Sequence, residues 1–380
     1  MGLSEFYLKY SDIRVRIAPF RLKNDFEYVK TISVIDELLN RADVVNAGAD
    51  PGGRYGVLVG HNIENYLARC ERYTAALERG EFPLKGMFTE PSISLADHCF
   101  VEKDGVVHLF YNRGAIGYEW DTRYVDTIGH AVTEDLINWT ILTPVLAAER
   151  GGPDDFQIWS PGVVENDGVY YMYYTGVNIN IAQAICLATS TDLYHWKKHE
   201  TNPVLLPGAW GKWNKDEWSD CRDAMVMLDG DIAYMYYCTA KRQEDGTYIP
   251  AVGIASSMDL VHWEDRGANS FDTCEFALES PFVMKKDGWY YLFYTNCWHG
   301  TAYAKSKNPI SGWENCGMLI EKQGIPECSA NVPSCSEVFE FKGQWYISAC
   351  ERQPGCEQYL EIFELTWNDD GTVTVGKRVE

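Results

Sequence analysis

One pattern recurs five times along the 380 residues: an apolar strand, a turn containing glycine, and an aromatic-rich second strand. It runs as Asp97-HCFVEKDGVVHLFY, Ser160-PGVVENDGVYYMYY, Asp223-AMVMLDGDIAYMYY, Glu279-SPFVMKKDGWYYLFY and Cys335-SEVFEFKGQWYISA. Alternating apolar residues around an Asp-Gly or Lys-Gly pair are the mark of a β-hairpin. Equivalent points in the second strands fall at Leu109, Met172, Met235, Leu292 and Ile347, at intervals of 63, 63, 57 and 55 residues. After the first four units comes a tryptophan, at Trp139, Trp196, Trp263 and Trp313, and in the first three an Asp-Leu turn leads to it. Units of this length hold four short strands, and five of them predict an all-β, five-bladed β-propeller. A doubly wound α/β sheet needs long helices between its strands, and a large β-sandwich leaves the regular spacing unexplained.

The repeat occupies residues 87–380, expected to be the catalytic domain. Residues 1–86 stand outside it as a partly helical N-terminal extension. Asn62-IENYLARCERYTAALERG predicts a helix capped by Asn62 and stopped at Gly80, with Ile63, Leu67, Cys70 and Leu77 on one face. Ile13, Val15 and Ile17 alternate as in a strand, which would complete the last blade or leave the extension to form a homodimer contact. Gly48, Gly52, Gly53 and Gly56 do not make a dinucleotide fingerprint and read as a loop.

Charge narrows the partners. With 33 Lys+Arg against 55 Asp+Glu the net charge is −22, which repels nucleic acid and anionic membranes and suits a neutral oligosaccharide or small glycoside. No apolar run approaches a membrane span, and the first residues lack the basic and apolar segments of a secretory signal, so a cytoplasmic protein is expected. The 12 cysteines include no C-x-x-C pair, and the spacings Cys328 to Cys335 and Cys350 to Cys356 fit no zinc pattern. They read as reduced, structural thiols with no metal-ligand set, and no cofactor is expected, an axial calcium being the alternative.

The first strand of each blade lines a propeller's axis, so residues far apart in sequence converge there. Counted back from the reference points, Asp97, Asp223 and Glu279 fall at matching innermost positions, with Ser160 in blade two and Cys335 in blade five. Acids at turns, such as Asp104, Asp167, Asp229 and Asp287, are solvated and carry no expected role. Carboxylates crowded at one axis raise one another's pKa, and glycoside cleavage needs such a pair, one to protonate the leaving oxygen and one across the sugar ring. Trp159 is expected to stack on substrate or pack the core, and Arg222 to donate to sugar hydroxyls or pair with its acidic neighbours. Trp298 follows the blade-four hairpin and is expected to line a subsite or pack a loop. His98 points away from Asp97's face and reads as core. Trp210, Trp213 and Trp218 crowd the insertion before blade three, either walling the pocket or packing beneath the loop.

The ordered set Asp97, Trp159-Ser-Pro, Arg222-Asp223 and Glu279-Ser-Pro resembles the five-bladed propeller glycosidases, glycoside hydrolase families 43, 32 and 68, over residues 88 to 365. Gly129-HAVTEDLINW and Arg222-Asp223 are similar to family 32 fructosidases. Trp159-SPGVV and Glu279-SPFVMKKDGWYYLFY are similar to family 43 arabinofuranosidases and xylosidases. The resemblance implies that Asp97 is nucleophile or general base, Asp223 a transition-state stabiliser or modulator of the acid, and Glu279 the general acid. It implies cleavage of a terminal β-fructofuranosyl or α-L-arabinofuranosyl linkage, with a glycoside phosphorylase or a non-catalytic carbohydrate-binding propeller as alternatives. The chain departs from family 32 with Ala96 and His98 around the first Asp, and from family 43 with Gly162 where an Asp often stands. Family 43 also often has a histidine in blade five near an axial calcium, and Pro333-SCSE offers none.

Overall fold

A computed structural model describes residues 3–46, 63–90, 93–115, 125–270, 277–296, 299–321, 332–352 and 359–380. Five antiparallel sheets follow one another along the chain, at residues 93–147, 157–198, 221–269, 278–321 and 332–378, and these are the five blades. The hairpin between first and second strands is tight because both central residues are left-handed: Asp104 and Gly105 at φ 54° and 82°, Asp167 and Gly168 at 53° and 78°, Asp287 and Gly288 at 50° and 74°. That is the turn whose twist matches the flanking strands, and short Asp tolerates the first position. Between third and fourth strands, the hydroxyls of Thr133, Ser190 and Ser257 accept the amides of Leu136, Leu193 and Leu260 at 3.0, 2.9 and 2.9 Å. Each turn then delivers Trp139, Trp196 or Trp263 onto a hydrophobic cluster between blades.

The aromatic strands build those seams. Phe110 and Ile128 of blade one meet Met172 and Tyr174 of blade two. Tyr173 and Leu187 meet Met235 and Tyr237 between blades two and three, and Tyr236 and Ile254 meet Leu292 and Tyr294 between three and four. Phe293 and Tyr303 meet Ile347 and Leu365 between four and five.

The ring closes differently from expectation. The last blade draws all its strands, through Val373–Arg378, from the C-terminal part of the chain, and Leu3–Ile17 is a helix rather than a strand. Ile13 and Ile17 are buried with Phe6 at helical spacing, whereas Val15 is 71% exposed, so the alternation read from the sequence was coincidental. This helix (α1) packs with Phe26–Asn46 (α2) and Ile63–Arg79 (α3) around Leu38, Tyr66, Leu67 and Cys70, and Tyr359 of blade five joins the cluster. Arg16 of α1 reaches Glu71 and Glu78 of α3, each at 2.7 Å. The predicted helix is thus α3, with Gly80 left-handed at its end at φ 73°; its proposed cap Asn62 lies outside the described residues. So do the four glycines read as a loop.

Among the described residues, blades one and five join through side chains, and Phe88, just ahead of blade one, forms a backbone bridge to blade five. Phe100 stacks on Phe339 at 4.4 Å, His98 Nε2 lies 2.7 Å from Ser348 Oγ, and Phe88 exchanges two hydrogen bonds with Leu360. Among the described residues Cys99, Cys186, Cys221, Cys238 and Cys316 are free thiols. No helix among the described residues is long and apolar enough to cross a membrane.

Candidate active site

The innermost strands of blades two, three and four each break register near their start, between Trp159 and Gly162, Arg222 and Met225, and Glu279 and Phe282. At each break one residue turns left-handed: Ser160 at φ 50°, Asp223 at 59° and Ser280 at 49°, and Cys335 of blade five takes the same conformation at 57°. Left-handed backbone is costly for such residues, and the neighbouring blade holds each in place. The Asp223 amide donates to Thr175 Oγ1 at 3.0 Å, the Cys335 amide to Thr295 Oγ1 at 2.8 Å, and the Ser160 amide to Asn112 Oδ1 at 2.5 Å. Blade three closes the series differently, since the Ser280 amide donates to the Asp223 carboxylate itself at 3.1 Å.

This register corrects one sequence-based assignment. Ser280, not Glu279, holds the blade-four position matching Asp223, and Glu279 instead matches Arg222 and Trp159, the residues just before the twist. A count along the chain overlooked Ser280 because it gave Glu279 one extra residue. Asn112, Thr175 and Thr295 were also missed, although each lies three residues beyond its blade's reference point.

The Asp97 carboxylate is cradled. Its Oδ1 accepts from Ser280 Oγ at 2.6 Å and from Cys335 Sγ at 3.0 Å, and its Oδ2 from Asn112 Nδ2 at 2.9 Å. Asp223 accepts from Ser160 Oγ at 2.6 Å and is buried. Burial, then the charge of Asp97, push Asp223 up to about 7, and Arg222 and the Ser160 hydrogen bond pull the other way. Ser280 thus touches both carboxylates, one with its hydroxyl and one with its amide.

Arg222 takes up the pairing alternative left open by the sequence. It donates to Glu279 Oε1 at 2.9 Å and Asp220 Oδ1 at 2.7 Å, and its Nε lies 3.7 Å from Asp223. Burial opposes its charge, but the carboxylates of Glu279, Asp223 and Asp220 outweigh it and raise the guanidinium above its ordinary value. The Trp218 ring, 48% exposed, lies 6.0 Å from Arg222 and donates to Asp220, so the insertion before blade three reaches the site. Trp210 and Trp213 instead bond Asp265 Oδ2 and the Gln183 carbonyl. Half-buried Trp159 donates to Gln157 Oε1 at 3.0 Å, and Trp298 lies outside the described residues.

Asp97, Ser160, Asp223, Ser280, Cys335 and Glu337 line an axial cavity of about 30 Å³. Burial pushes Glu337 up to about 8 even though the Phe100 amide donates to it at 3.0 Å. His98 is buried with both ring nitrogens engaged, by the Ala96 carbonyl and Ser348, and burial holds it down at about 4. Calcium takes six to eight oxygen ligands. Among the described residues no group of three or more His, Cys, Asp or Glu is placed to hold a metal ion.

Residues 97–285 match the model of the glycosyl hydrolases family 32 N-terminal domain, and these residues carry Asp97, Asp223 and Glu279. The chain is a divergent member of the five-bladed propeller glycosidase superfamily. Among superfamily relatives, a 1,2-β-oligomannan phosphorylase of Thermoanaerobacter sp. (strain X514) is 28% identical over 200 residues, covering 50% of this chain and 60% of that enzyme. An insoluble β-fructofuranosidase isoenzyme of Arabidopsis thaliana is 27% identical over 201 residues, covering 50% of this chain and 34% of that enzyme. The chain therefore spans less than two thirds of either relative. Of solved structures, a thermostable family-43 glycoside hydrolase superposes with a TM-score of 0.60 at 19% identity, over 76% of this chain and 96% of that one. The Bombyx mori GH32 β-fructofuranosidase does so at 0.57 and 18%, over 76% and 64%. These likenesses fix the propeller fold.

Proposed function

We propose that this protein hydrolyses a terminal furanoside, β-fructofuranosyl or α-L-arabinofuranosyl, and that the convergence of Asp97, Asp223 and Glu279 at the axial cavity carries the activity. Asp97, held by three donors, serves as the carboxylate that faces the anomeric carbon, either attacking it or taking a proton from water. Glu279 gives its proton to the departing oxygen. Asp223 stays between them, and its raised value lets it share a proton with the site near neutral pH. Arg222 orders the Glu279 carboxylate, while Trp159, Ser160, Trp218 and Trp298 are the candidate substrate contacts. The matched family 32 domain and the propeller likenesses support this reading.

Phosphorolysis is the second reading, favoured by the likeness to the oligomannan phosphorylase. Phosphate needs cations with free donors. At the described site Arg222 is already engaged by Asp220 and Glu279, which favours hydrolysis. A panel of aryl furanosides and pyranosides, sucrose, short fructans and β-mannooligosaccharides, assayed with and without phosphate for wild type and Asp97→Asn, separates the readings. Phosphate-independent release from a furanoside, lost in the variant, is the expected result. Release only with phosphate moves the assignment to a phosphorylase, and silence with binding retained moves it to a non-catalytic propeller.

A further inference from the structure

A second concave surface lies away from the acids, between blades four and five. The innermost strand of blade four starts beside the active site at Glu279 and ends at Lys286, so the Asp287-Gly288 turn lies roughly 20 Å farther along it. Around this turn, the equivalent turn of blade five and the end of its third strand lies a cavity of about 660 Å³ whose apolar wall is Trp289, Trp345, Trp367 and Tyr291. That volume falls within the range of small-ligand sites. Trp345 and Trp367 meet edge to face at 5.7 Å, and Tyr291 meets Trp367 at 4.8 Å, so the rings stand at steep angles to one another and present differently oriented surfaces. The tryptophans are only half-buried.

We propose that this cavity is a second carbohydrate-binding site, taking a neutral oligosaccharide at a distance from the catalytic acids. A sugar needs a flat π-face for its C–H surface and nearby polar groups for its hydroxyls, and the cavity has both. The ring faces attract partial positive charge: Lys307 Nζ lies 3.6 Å from the Trp289 centroid, and Lys286 Nζ 5.5 Å from that of Trp345. Sugar C–H bonds carry the same sign, and the flexible lysine chains yield to them. Exposed Asp369 stands at the rim as a hydroxyl acceptor. The lining carries one lysine, Lys286, against three aspartates, Asp287, Asp369 and Asp370, and the chain as a whole carries a charge of −22, so an anionic ligand is disfavoured here. The proposal is independent of which reaction the acids perform, because it concerns binding alone.

Affinity electrophoresis through gels containing soluble fructan, arabinan or β-mannan tests it, on protein carrying Glu279→Gln so that turnover does not consume the polymer. Retardation by one polymer is expected, persisting in Glu279→Gln and reduced at least fivefold in affinity by Trp345→Ala and by Asp369→Ala. Asp369 is exposed, so its replacement leaves the fold intact and the result readable even if Trp345→Ala destabilises the blade. With the wild-type catalytic residues, the two variants keep kcat on a small aryl glycoside and raise KM on the polymer. Unchanged retardation in both variants, or none for the parent protein in any polymer, overturns the proposal. Failure of the hydrolysis panel with retardation still lost in the variants overturns the proposed activity and leaves this site standing.

Discussion

Arg222 and Glu279 hold the same register position in neighbouring blades, each just before its strand's left-handed twist, and they meet at 2.9 Å. The pair therefore spans the seam between blades three and four, and its geometry is set by backbone on both sides.

Arg222→Ala is expected to leave Glu279 and Asp220 without their cation in a buried setting, costing ~3–4 kcal/mol of transition-state stabilisation, or about 100- to 1,000-fold in kcat/KM. Arg222→Lys restores only a small part, because a single ammonium does not reach both carboxylates in the way the fork does. Steady-state kinetics on the glycoside identified by the panel measures both.

Asp223 sets a pH limb. Its value of about 7 predicts a change in kcat/KM near neutral pH. The Ser160 hydroxyl donates to this carboxylate and so favours its charged form. Ser160→Ala removes that help, and the limb is expected to move to higher pH. A pH–rate profile with the limb unmoved, or moved down, contradicts the assignment.

Much of this site follows from residues visible in the chain, and the remainder depends on backbone twist. The blade spacing, the Asp-Gly turns and the convergence of Asp97 with Asp223 follow from strand alternation and length alone. Ser280 escaped because the register break displaces Glu279 by one position, and such a break has no composition of its own. The donors to Asp97 came from three blades, so no local pattern links Asn112, Ser280 and Cys335. Helix α1 was mistaken because Ile13, Val15 and Ile17 fit a period of two as well as two of them fit a helix; only burial of Phe6 distinguishes the cases.

Gly162 was visible as a departure from the family 43 pattern, and its role is steric. A Cβ there would lie 2.4 Å from the Ala224 carbonyl oxygen of the next blade. Gly162→Ala is expected to push blades two and three apart at the axis, lowering stability by ~1–3 kcal/mol in urea denaturation. It should also reduce kcat, since Ser160 and Asp223 sit on the displaced strands.

Glu337 links the axis to pH. Its folded value of about 8 exceeds the ordinary 4.5, so the folded protein holds a proton that the unfolded chain releases between those values. The stabilisation is complete below about 4.5 and is lost as pH rises through about 8. Glu337→Gln keeps the shape without the charge, and the pH dependence of the urea midpoint between pH 5 and 9 should flatten in that variant. An equally steep fall in the variant places the titrating group elsewhere.

The join between blades one and five has a mechanical consequence. Where an interleaved strand would lock the circle like a welded hoop, the described residues show a clasp of stacked rings, side-chain hydrogen bonds and one pair of backbone bonds at Phe88 and Leu360. Asp97 sits on one side of that clasp and its partner Cys335 on the other. Strain that parts the first and last blades therefore reaches the Asp97 carboxylate early, and on the proposed function activity should fade before the propeller melts.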